Sequence, residues 1–202
     1  MIDDEPQRRL FLARAGMAGV GLIAATASAS AAPIPGAAGP HDPPGGDAAK
    51  LRWVMDRIEI ADLIGMYGFS FDKRDWALHR SLFVDEIEMD FSASIGSGLT
   101  TMKADAWVAG VKPFFESLPA TQHIAYPQLV RIDGDEAFVV SLLHAQHFYP
   151  AARGEPIQRM IGWYENWLVR TRAGWKYRKM VQHIDWNEGN WWIFDHAAGK
   201  AK

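Results

Sequence analysis

Residues 121–149 read TQHIAYPQLVRIDGDEAFVVSLLHAQHFY and contain two long runs rich in β-branched and aromatic side chains. The first run extends from Gln122 to Ile132 and the second from Glu136 to Tyr149. Between them stands Asp133-Gly134-Asp135, a sequence typical of a tight turn. We therefore expect an antiparallel hairpin of two long strands, from which the rest of the fold can be worked out.

Three helices are predicted before the hairpin. Apolar residues recur at near-helical spacing from Leu51 to about Ser70, which indicates an amphipathic helix. Asp75 stands at the N-cap position of a second, short helix over residues 76–83. A third helix is expected over residues 103–118, where Pro113 should cause a kink or a break.

Additional strands are predicted over residues 87–91, 158–171 and 175–186, and residues 92–98 should form a flexible segment. Three helices followed by an antiparallel meander indicate an α+β domain. Helices would then cover one face of a curved sheet.

The N-terminal residues are predicted to lie outside this domain. Arg8-Arg9 precedes a mildly apolar run rich in Ala and Gly, and Ala27-Ser28-Ala29 fits a small-residue cleavage site. Residues 1–31 are therefore interpreted as a twin-arginine signal peptide that directs the protein to the periplasm. The apolar run is short and weakly hydrophobic for a membrane span, so no stable anchor is expected after cleavage.

The rest of the chain divides by composition. Residues 32–49 are rich in Pro, Gly and Ala and are predicted to be a linker. The globular domain is placed at residues 50–195, and residues 196–202 form a tail.

Composition narrows the classes of partner. A net charge of −3 leaves no basic stripe to neutralise phosphates, so a nucleic-acid partner is not expected. Because the chain has no cysteine, disulfides, thiolate metal sites and cysteine nucleophiles are excluded. The nine Trp, ten Phe and five Tyr residues are more than one core needs. They favour an aromatic-lined pocket for a small hydrophobic ligand.

Asp72 and His123 are the strongest candidates for chemistry. If the fold brings them together in an apolar cavity, the carboxylate fixes one imidazole nitrogen and leaves the other free as base or acid. The alternative is that each side chain is satisfied structurally. Tyr67, five residues before Asp72, could donate a hydrogen bond to a substrate carbonyl or a developing oxyanion, or it could be a packing residue.

His144 and His147 suggest a metal site, but their spacing argues against it. Residues three apart on a strand point to opposite faces, so Ser141 and His147 share one face while His144 lies on the other with a structural role. A metal held by Asp72, His123 and His147 stays open as an alternative, although it lacks a close-spaced signature. We predict neither a metal nor an organic cofactor.

Several motifs resemble the SnoaL-like group of the nuclear transport factor two-like superfamily, in particular scytalone dehydratases and bacterial bile-acid dehydratases. The similarity covers about residues 51–190. Its carriers are Asp56-Arg57-Ile58-Glu59-Ile60, Phe71-Asp72-Lys73-Arg74-Asp75-Trp76, Thr121-Gln122-His123, Val130-Arg131-Ile132-Asp133-Gly134-Asp135 and Ile184-Asp185-Trp186. The resemblance implies a cone-shaped α+β barrel, in which a curved, mostly antiparallel sheet wraps around N-terminal helices. It also implies a homo-oligomer, either a dimer or a trimer.

The resemblance implies catalytic roles for three residues. Asp72 matches the cavity aspartate of the family, His123 matches its cavity histidine, and Tyr67 falls where the bile-acid enzymes place a helix tyrosine.

Five other positions are candidates for substrate contact, and most depart from the scytalone dehydratase pattern. Phe71 and Phe91 stand where that enzyme has tyrosines, so two water-orienting hydroxyls are missing. Ser141 aligns with its second catalytic histidine, although His147 follows on the same strand face. Asp185 replaces an arginine near the substrate. These differences argue against scytalone itself as the substrate.

The sequence therefore predicts a cofactor-independent lyase acting on a hydrophobic hydroxylated molecule, aromatic or polycyclic. His123, oriented by Asp72, would move a proton while Tyr67 and His147 assist the leaving oxygen. Dehydration is the favoured reaction, and loss of formaldehyde from a lignin-type diol needs similar groups. A ketone or steroid-type isomerase and a non-catalytic module that binds an apolar ligand are the alternatives.

Overall fold

The computed structural model describes residues 43, 45–150 and 153–199. The predicted signal peptide and the predicted tail beyond residue 199 lie outside the described residues. Five helices are present in the described part: α1 (Asp47–Lys73), α2 (Trp76–Ser81), α3 (Ser92–Ile95), α4 (Ala104–Glu116) and α5 (Trp192–Ala197). None of these helices is long and apolar enough to cross a membrane.

Six strands form one sheet: β1 (Phe83–Phe91), β2 (Ser97–Lys103), β3 (Ala120–Asp133), β4 (Glu136–Phe148), β5 (Ile157–Thr171) and β6 (Gly174–Gly189). Their order across the sheet is β2-β1-β6-β5-β4-β3. All neighbouring strands are antiparallel except β1 and β6. The sheet is curved and open, with β2 and β3 at its edges, and this confirms the predicted α+β class.

The predicted hairpin is confirmed as β3 and β4. The two strands pair along their whole length, with Ala120 opposite Phe148 at one end and Asp133 opposite Glu136 at the other. Gly134 turns the chain with φ of 58°, a left-handed conformation that glycine adopts without steric cost. The register shifts just after Pro127. Proline lacks an N–H to donate, and it is tolerated here at an irregularity of an edge strand.

α1 is confirmed as a helix, but only the second half of the apolar series that predicts it is buried. The core face consists of Ile60, Leu63, Ile64, Tyr67 and Phe71. Leu51, Val54, Met55 and Ile58, which also follow helical spacing, are exposed. The helix has apolar residues on two opposite sides, so spacing alone could not tell which side packs on the sheet.

Other boundaries also differ from the prediction. Residues 92–98, expected to be flexible, contain α3 and the beginning of β2. β2 escaped prediction because its residues are mostly exposed and do not alternate. α2 ends at Ser81 rather than Phe83, which instead begins β1. α4 continues through Pro113 to Glu116 without a break, and the proline costs the helix one hydrogen bond, the one to the carbonyl of Ala109.

Asp56 and Arg170 form a buried ion pair between α1 and β5. The guanidinium donates to both carboxylate oxygens at 2.5 and 2.7 Å, and Trp175 Nε1 donates at 3.3 Å. The bond from Arg170 is the main reason that the pKa of Asp56 lies below its usual value. Arg170 also binds Asp135 in the β3–β4 turn at 2.9 Å. Asp56 belongs to the first motif of the family resemblance and Asp135 to the fourth. Arg170 therefore joins these two motifs in a structural rather than a catalytic contact.

Candidate active site

The end of α1 and the beginning of β3 bring Asp72 and His123 together. Oδ1 of Asp72 lies 2.8 Å from Nδ1 of His123, and Oδ2 accepts the backbone N–H of His123 at 2.8 Å. The Asp72 and His123 side chains are only 12% and 8% exposed, so water does not compete freely for these bonds. Because a carboxylate only accepts hydrogen bonds, Nδ1 carries the proton and Nε2 keeps its lone pair.

Thr121 and Arg74 hold the carboxylate in place. The Thr121 hydroxyl donates to Oδ1 of Asp72 at 2.9 Å and accepts from Nη1 of Arg74 at 2.9 Å. Arg74 also donates to the carbonyls of Phe71 at 2.5 Å and Leu118 at 3.0 Å. The Thr121 oxygen accepts the bond from the Arg74 guanidinium, so the hydrogen of the Thr121 hydroxyl is free to point to Asp72. One arginine thereby ties the end of α1 to the start of β3.

Gly68 lets α1 approach β3 at the level of His123. A Cβ at position 68 would lie 2.8 Å from the carbonyl oxygen of His123 and 2.9 Å from its Cβ. Real side chains do not make contacts this short with backbone atoms, so the spacing between the two elements requires glycine. Gly68 lies one helical turn before Asp72, which places the carboxylate within reach of the histidine.

His147 provides a second imidazole beside His123. Nδ1 of His147 lies 2.8 Å from Oε1 of Gln158, whose Nε2 donates to the Arg159 carbonyl at 2.9 Å. The amide orientation makes Oε1 the acceptor, so Nδ1 of His147 is the donor and its Nε2 keeps the lone pair. Burial, and to a smaller extent the nearby His123, lower the pKa of His147 to about 3. His147 is therefore neutral at physiological pH and accepts, rather than donates, at Nε2.

The two histidines open into a cavity of about 300 Å³, within the size range of small-molecule sites. Its apolar walls come from α1, β1, α4, β5 and α5 and include Phe71, Phe91, Trp107, Phe115, Met160 and Phe194. Tyr67 also lines it, as does Ala145, the cross-strand partner of His123. Asp72 lies behind His123.

A second polar group lines the same cavity and is called the donor cluster here: Tyr67, Tyr164, Gln182 and Ser94. Ser94 Oγ donates to Oε1 of Gln182 at 2.5 Å, and Gln182 Nε2 donates to the Tyr164 hydroxyl at 3.3 Å. The rings of Tyr67 and Tyr164 meet edge to face with their centroids 5.9 Å apart. Burial raises the pKa of Tyr164 to about 12 and that of Tyr67 well above its usual value, so both hydroxyls stay protonated.

Comparison with known proteins agrees with this architecture. Residues 52–181 match the SnoaL-like domain, which is most of the described chain. The chain belongs to the SnoaL-like family. Its fold is that of nuclear transport factor two-like proteins.

Three solved structures show the same fold as this SnoaL-like domain. The Kfla4162 protein of Kribbella flavida is 27% identical, with a TM-score of 0.66 over 73% of this chain and 99% of the other. A candidate scytalone dehydratase of Novosphingobium aromaticivorans is 19% identical, with a TM-score of 0.59 over 68% and 89%. The hexachlorocyclohexane dehydrochlorinase LinA type 2 is 18% identical, with a TM-score of 0.56 over 68% and 90%.

The donor cluster contains three residues that the sequence did not point to. Tyr164 and Gln182 stand directly opposite each other on β5 and β6, a pairing that depends on the strand register. Ser94 belongs to α3, which lies in the segment expected to be flexible. Of this cluster only Tyr67 was predicted, and no sequence signal marks the other three.

Two predicted substrate contacts lie outside the cavity lining of the SnoaL-like domain. Ser141 is buried, accepts a hydrogen bond from Asn166 at 3.0 Å and does not line the cavity. Asp185 is exposed, because the pairing of β5 and β6 shifts register between Ile161 and Gly162 and leaves Asp185 without a cross-strand partner. The structure therefore does not support substrate contact by either side chain, whereas Phe71, Phe91 and His147 do line the cavity.

The opposite faces predicted for His144 and His147 are confirmed. His147 is buried on the cavity face. His144 lies on the outer face, where its cross-strand neighbours are Ile124 on β3 and Ile161 on β5. His183 also lies on the outer face, stacked on Trp163 with ring centroids 3.8 Å apart.

The alternative of a metal at Asp72, His123 and His147 lacks a suitable donor set. Asp72 already accepts from His123 and Thr121, and Nδ1 of each histidine is a donor to a neighbouring side chain. Only two Nε2 lone pairs face the cavity. Over the described ranges, no group of three or more His, Asp or Glu side chains could hold a metal ion.

Proposed function

We propose that this protein is a cofactor-independent lyase that removes water from a hydrophobic hydroxylated small molecule, aromatic or polycyclic. The observation that carries the proposal is the 2.8 Å contact between Asp72 and His123, with Nε2 of the histidine opening into an aromatic cavity. Such a dyad can move a proton near neutral pH, and the aromatic walls of the cavity suit a hydrophobic substrate.

The reaction is a base-assisted elimination. Nε2 of His123 takes a proton from the carbon next to the hydroxyl-bearing carbon, and Asp72 stabilises the imidazolium that forms. The electrons of the broken C–H bond form the new C=C bond as the C–O bond breaks. The imidazolium returns its proton to the departing oxygen, which leaves as water, so the histidine is regenerated.

His147 assists this elimination as an acceptor. Because its Nε2 keeps a lone pair and its pKa lies at about 3, it can accept the hydrogen of the substrate hydroxyl. That contact turns the oxygen lone pairs towards His123, whose ring lies edge to face with that of His147 at a centroid distance of 5.6 Å.

Loss of formaldehyde from a lignin-type diol is the related reaction of this site. His123 would take a proton from a primary hydroxyl instead of a C–H group. The C–C bond beside it then breaks to release formaldehyde, the new C=C bond forms, and the second hydroxyl leaves as water. In both reactions His123 is the base, and its imidazolium returns the proton to the hydroxyl that leaves as water.

A ketone isomerase is the second candidate, favoured by the donor cluster. Protonated Tyr67 and Tyr164 hydroxyls could stabilise an enolate while His123 transfers a proton between two carbons. The likeness to a candidate scytalone dehydratase and to a dehydrochlorinase, at 19% and 18% identity, shows the fold alone and does not choose between elimination and isomerisation.

We also propose export to the periplasm and assembly into a homo-oligomer. Two cross-strand rows on the outer sheet face support assembly: Ile124, His144, Ile161 and Trp186 form one, and Tyr126, Leu142, Trp163 and His183 form the other. Ile124, Tyr126, Leu142 and Trp186 are each about half exposed or more, an apolar surface that a second subunit could cover.

The proposal is tested by incubating the purified chain with aromatic alcohols and diols and following mass loss of water or formaldehyde. His123→Ala should abolish the mass change, because of the two imidazoles that line the cavity only that of His123 is paired with a carboxylate. His144→Ala is the matched control on the outer face and should retain it. If no alcohol or diol reacts although apolar ligands bind, the protein is a binding module.

A further inference from the structure

The donor cluster has more hydrogen-bond donors than acceptors. Oε1 of Gln182 is taken by Ser94, which fixes the amide with its NH₂ group towards Tyr164. Only one of the two amide hydrogens goes to the Tyr164 hydroxyl. The Tyr164 hydroxyl accepts from Gln182, and a bond between the two tyrosine hydroxyls would use only one of their two hydrogens. Within the described residues, one O–H and one N–H are therefore left without an acceptor.

The imidazole end of the cavity has the opposite character. Both histidines use Nδ1–H within the protein and present Nε2 lone pairs to the cavity. This end accepts hydrogen bonds and protons, whereas the donor cluster donates them. Tyr164 pairs with Ser141 and His123 pairs with Ala145, so the two ends lie four residues apart along β4, roughly 13 Å between backbones.

We propose that the donor cluster binds a second oxygen of the substrate, an uncharged carbonyl or phenolic acceptor. This rests on the proposed function and narrows the substrate to an aromatic alcohol or diol that carries such an oxygen at the end remote from the reacting carbon. The difference between the two ends also fixes orientation: the acceptor oxygen faces Gln182 and Tyr164, and the group that loses a proton faces His123.

The apolar wall between the two ends supports the same reading. Phe71, Phe91 and Trp107 line the cavity and offer no hydrogen bond to a ligand there, since the Trp107 N–H is used by His79 at 3.2 Å. A ring system fits this stretch, with its oxygens at the ends. Because the tyrosine hydroxyls keep their protons above neutral pH, the cluster remains a donor throughout the range in which His123 acts as a base.

The test uses 2-tetralone and tetralin, two bicyclic probes that differ by one carbonyl oxygen. Dissociation constants are measured by calorimetry on the purified full chain. The wild type should bind the ketone about tenfold tighter, the effect of one good hydrogen bond to a buried carbonyl. Tyr164→Phe and Gln182→Leu should each reduce this preference at least threefold. Tetralin affinity should stay unchanged, which shows that the cavity remains folded.

The carbonyl stretching frequency of bound 2-tetralone gives a second readout. It should be lower in the wild type than in Tyr164→Phe, because a hydrogen bond weakens the C=O bond. Equal affinity for the two probes, a preference kept in both variants, or no binding of either probe would overturn the subsite.

His123→Ala separates this inference from the proposed function. The variant should lose lyase activity but keep the preference for the ketone, because Nε2 of His123 has no hydrogen to donate. If the ketone preference depends on Tyr164 while no alcohol or diol reacts, the subsite stands and the lyase proposal fails. If His123→Ala removes the preference, the oxygen binds at the imidazole end and the subsite is wrong.

Discussion

The rings of His123 and His147 meet edge to face with their centroids 5.6 Å apart, although they come from different strands. Both present an Nε2 lone pair to the cavity, but their partners differ in charge. His123 is backed by the carboxylate of Asp72, and His147 by the neutral amide of Gln158. Only His123 therefore has an anion beside it to stabilise an imidazolium, which assigns the base to His123.

Asp72 and His123 should behave as one catalytic unit. Asp72→Asn keeps the size of the side chain but can favour the wrong tautomer of His123, and His123→Ala removes the base. Each change should lower kcat/KM on the order of 10²–10⁴-fold. The double variant should be little worse than His123→Ala alone, as measured on the substrate found by the mass screen. Losses that multiply would show that the two residues act independently.

Thr121 should position Asp72 without contacting the substrate. Thr121→Val keeps the shape but removes the 2.9 Å bond to Oδ1 of Asp72 and the acceptor for Arg74. We expect kcat to fall about tenfold with little change in KM, since about 1.4 kcal/mol of orientation is lost. Thr121→Ser keeps the hydroxyl and should restore activity. A variant with valine that is fully active would mean that Asp72 is held well enough by His123 alone.

Gly68→Ala should damage both stability and activity. The new Cβ would stand 2.8 Å from the His123 carbonyl, so β3 must move away from α1. A free-energy loss of about 1–3 kcal/mol in urea unfolding is expected from such overpacking. Gly65→Ala is the matched control: it lies on the same helix with nothing within 4 Å and should stabilise the protein by about 1 kcal/mol. Similar effects of both substitutions would show that the close approach is not rigid.

Much of the fold, but less of the site, could be read from the sequence. The β3–β4 hairpin followed from two β-rich runs around Gly134, and the meeting of Asp72 with His123 followed from the family resemblance. Tyr164 and Gln182 could not be found, because their contact depends on how β5 pairs with β6. The substrate contact predicted for Asp185 was wrong for the same reason. One shift in the register of β5 and β6 changes which residues face the cavity.

Export should depend on the arginine pair, which lies outside the described residues. Replacing Arg8 and Arg9 together by lysine should trap the precursor in the cytoplasm, because the twin-arginine route reads the two arginines. Cell fractionation and immunoblotting measure the periplasmic share. An unchanged periplasmic yield would contradict this route, though not secretion itself.

Two buried histidines should make the fold sensitive to acid. Burial lowers the pKa of His79 and of His147 to about 3, while both titrate near 6.5 in the unfolded chain. Between these values the unfolded state binds more protons than the folded state, so the free energy of unfolding falls as the pH drops from about 6.5 towards 3. The slope approaches about 1.4 kcal/mol per pH unit for each histidine.

Urea unfolding at pH 7, 6, 5 and 4 measures this slope. Other groups also contribute, above all Asp56, whose pKa is lowered by Arg170. Protonation of Asp56 in acid breaks this ion pair, so it too lowers the free energy of unfolding as the pH drops. The contribution of His147 is isolated by His147→Gln, which has no titrating group and should flatten the decline between pH 6 and 4. If the curves of this variant and the wild type stay parallel, His147 titrates alike in the folded and the unfolded chain, and burial does not keep it neutral beside His123.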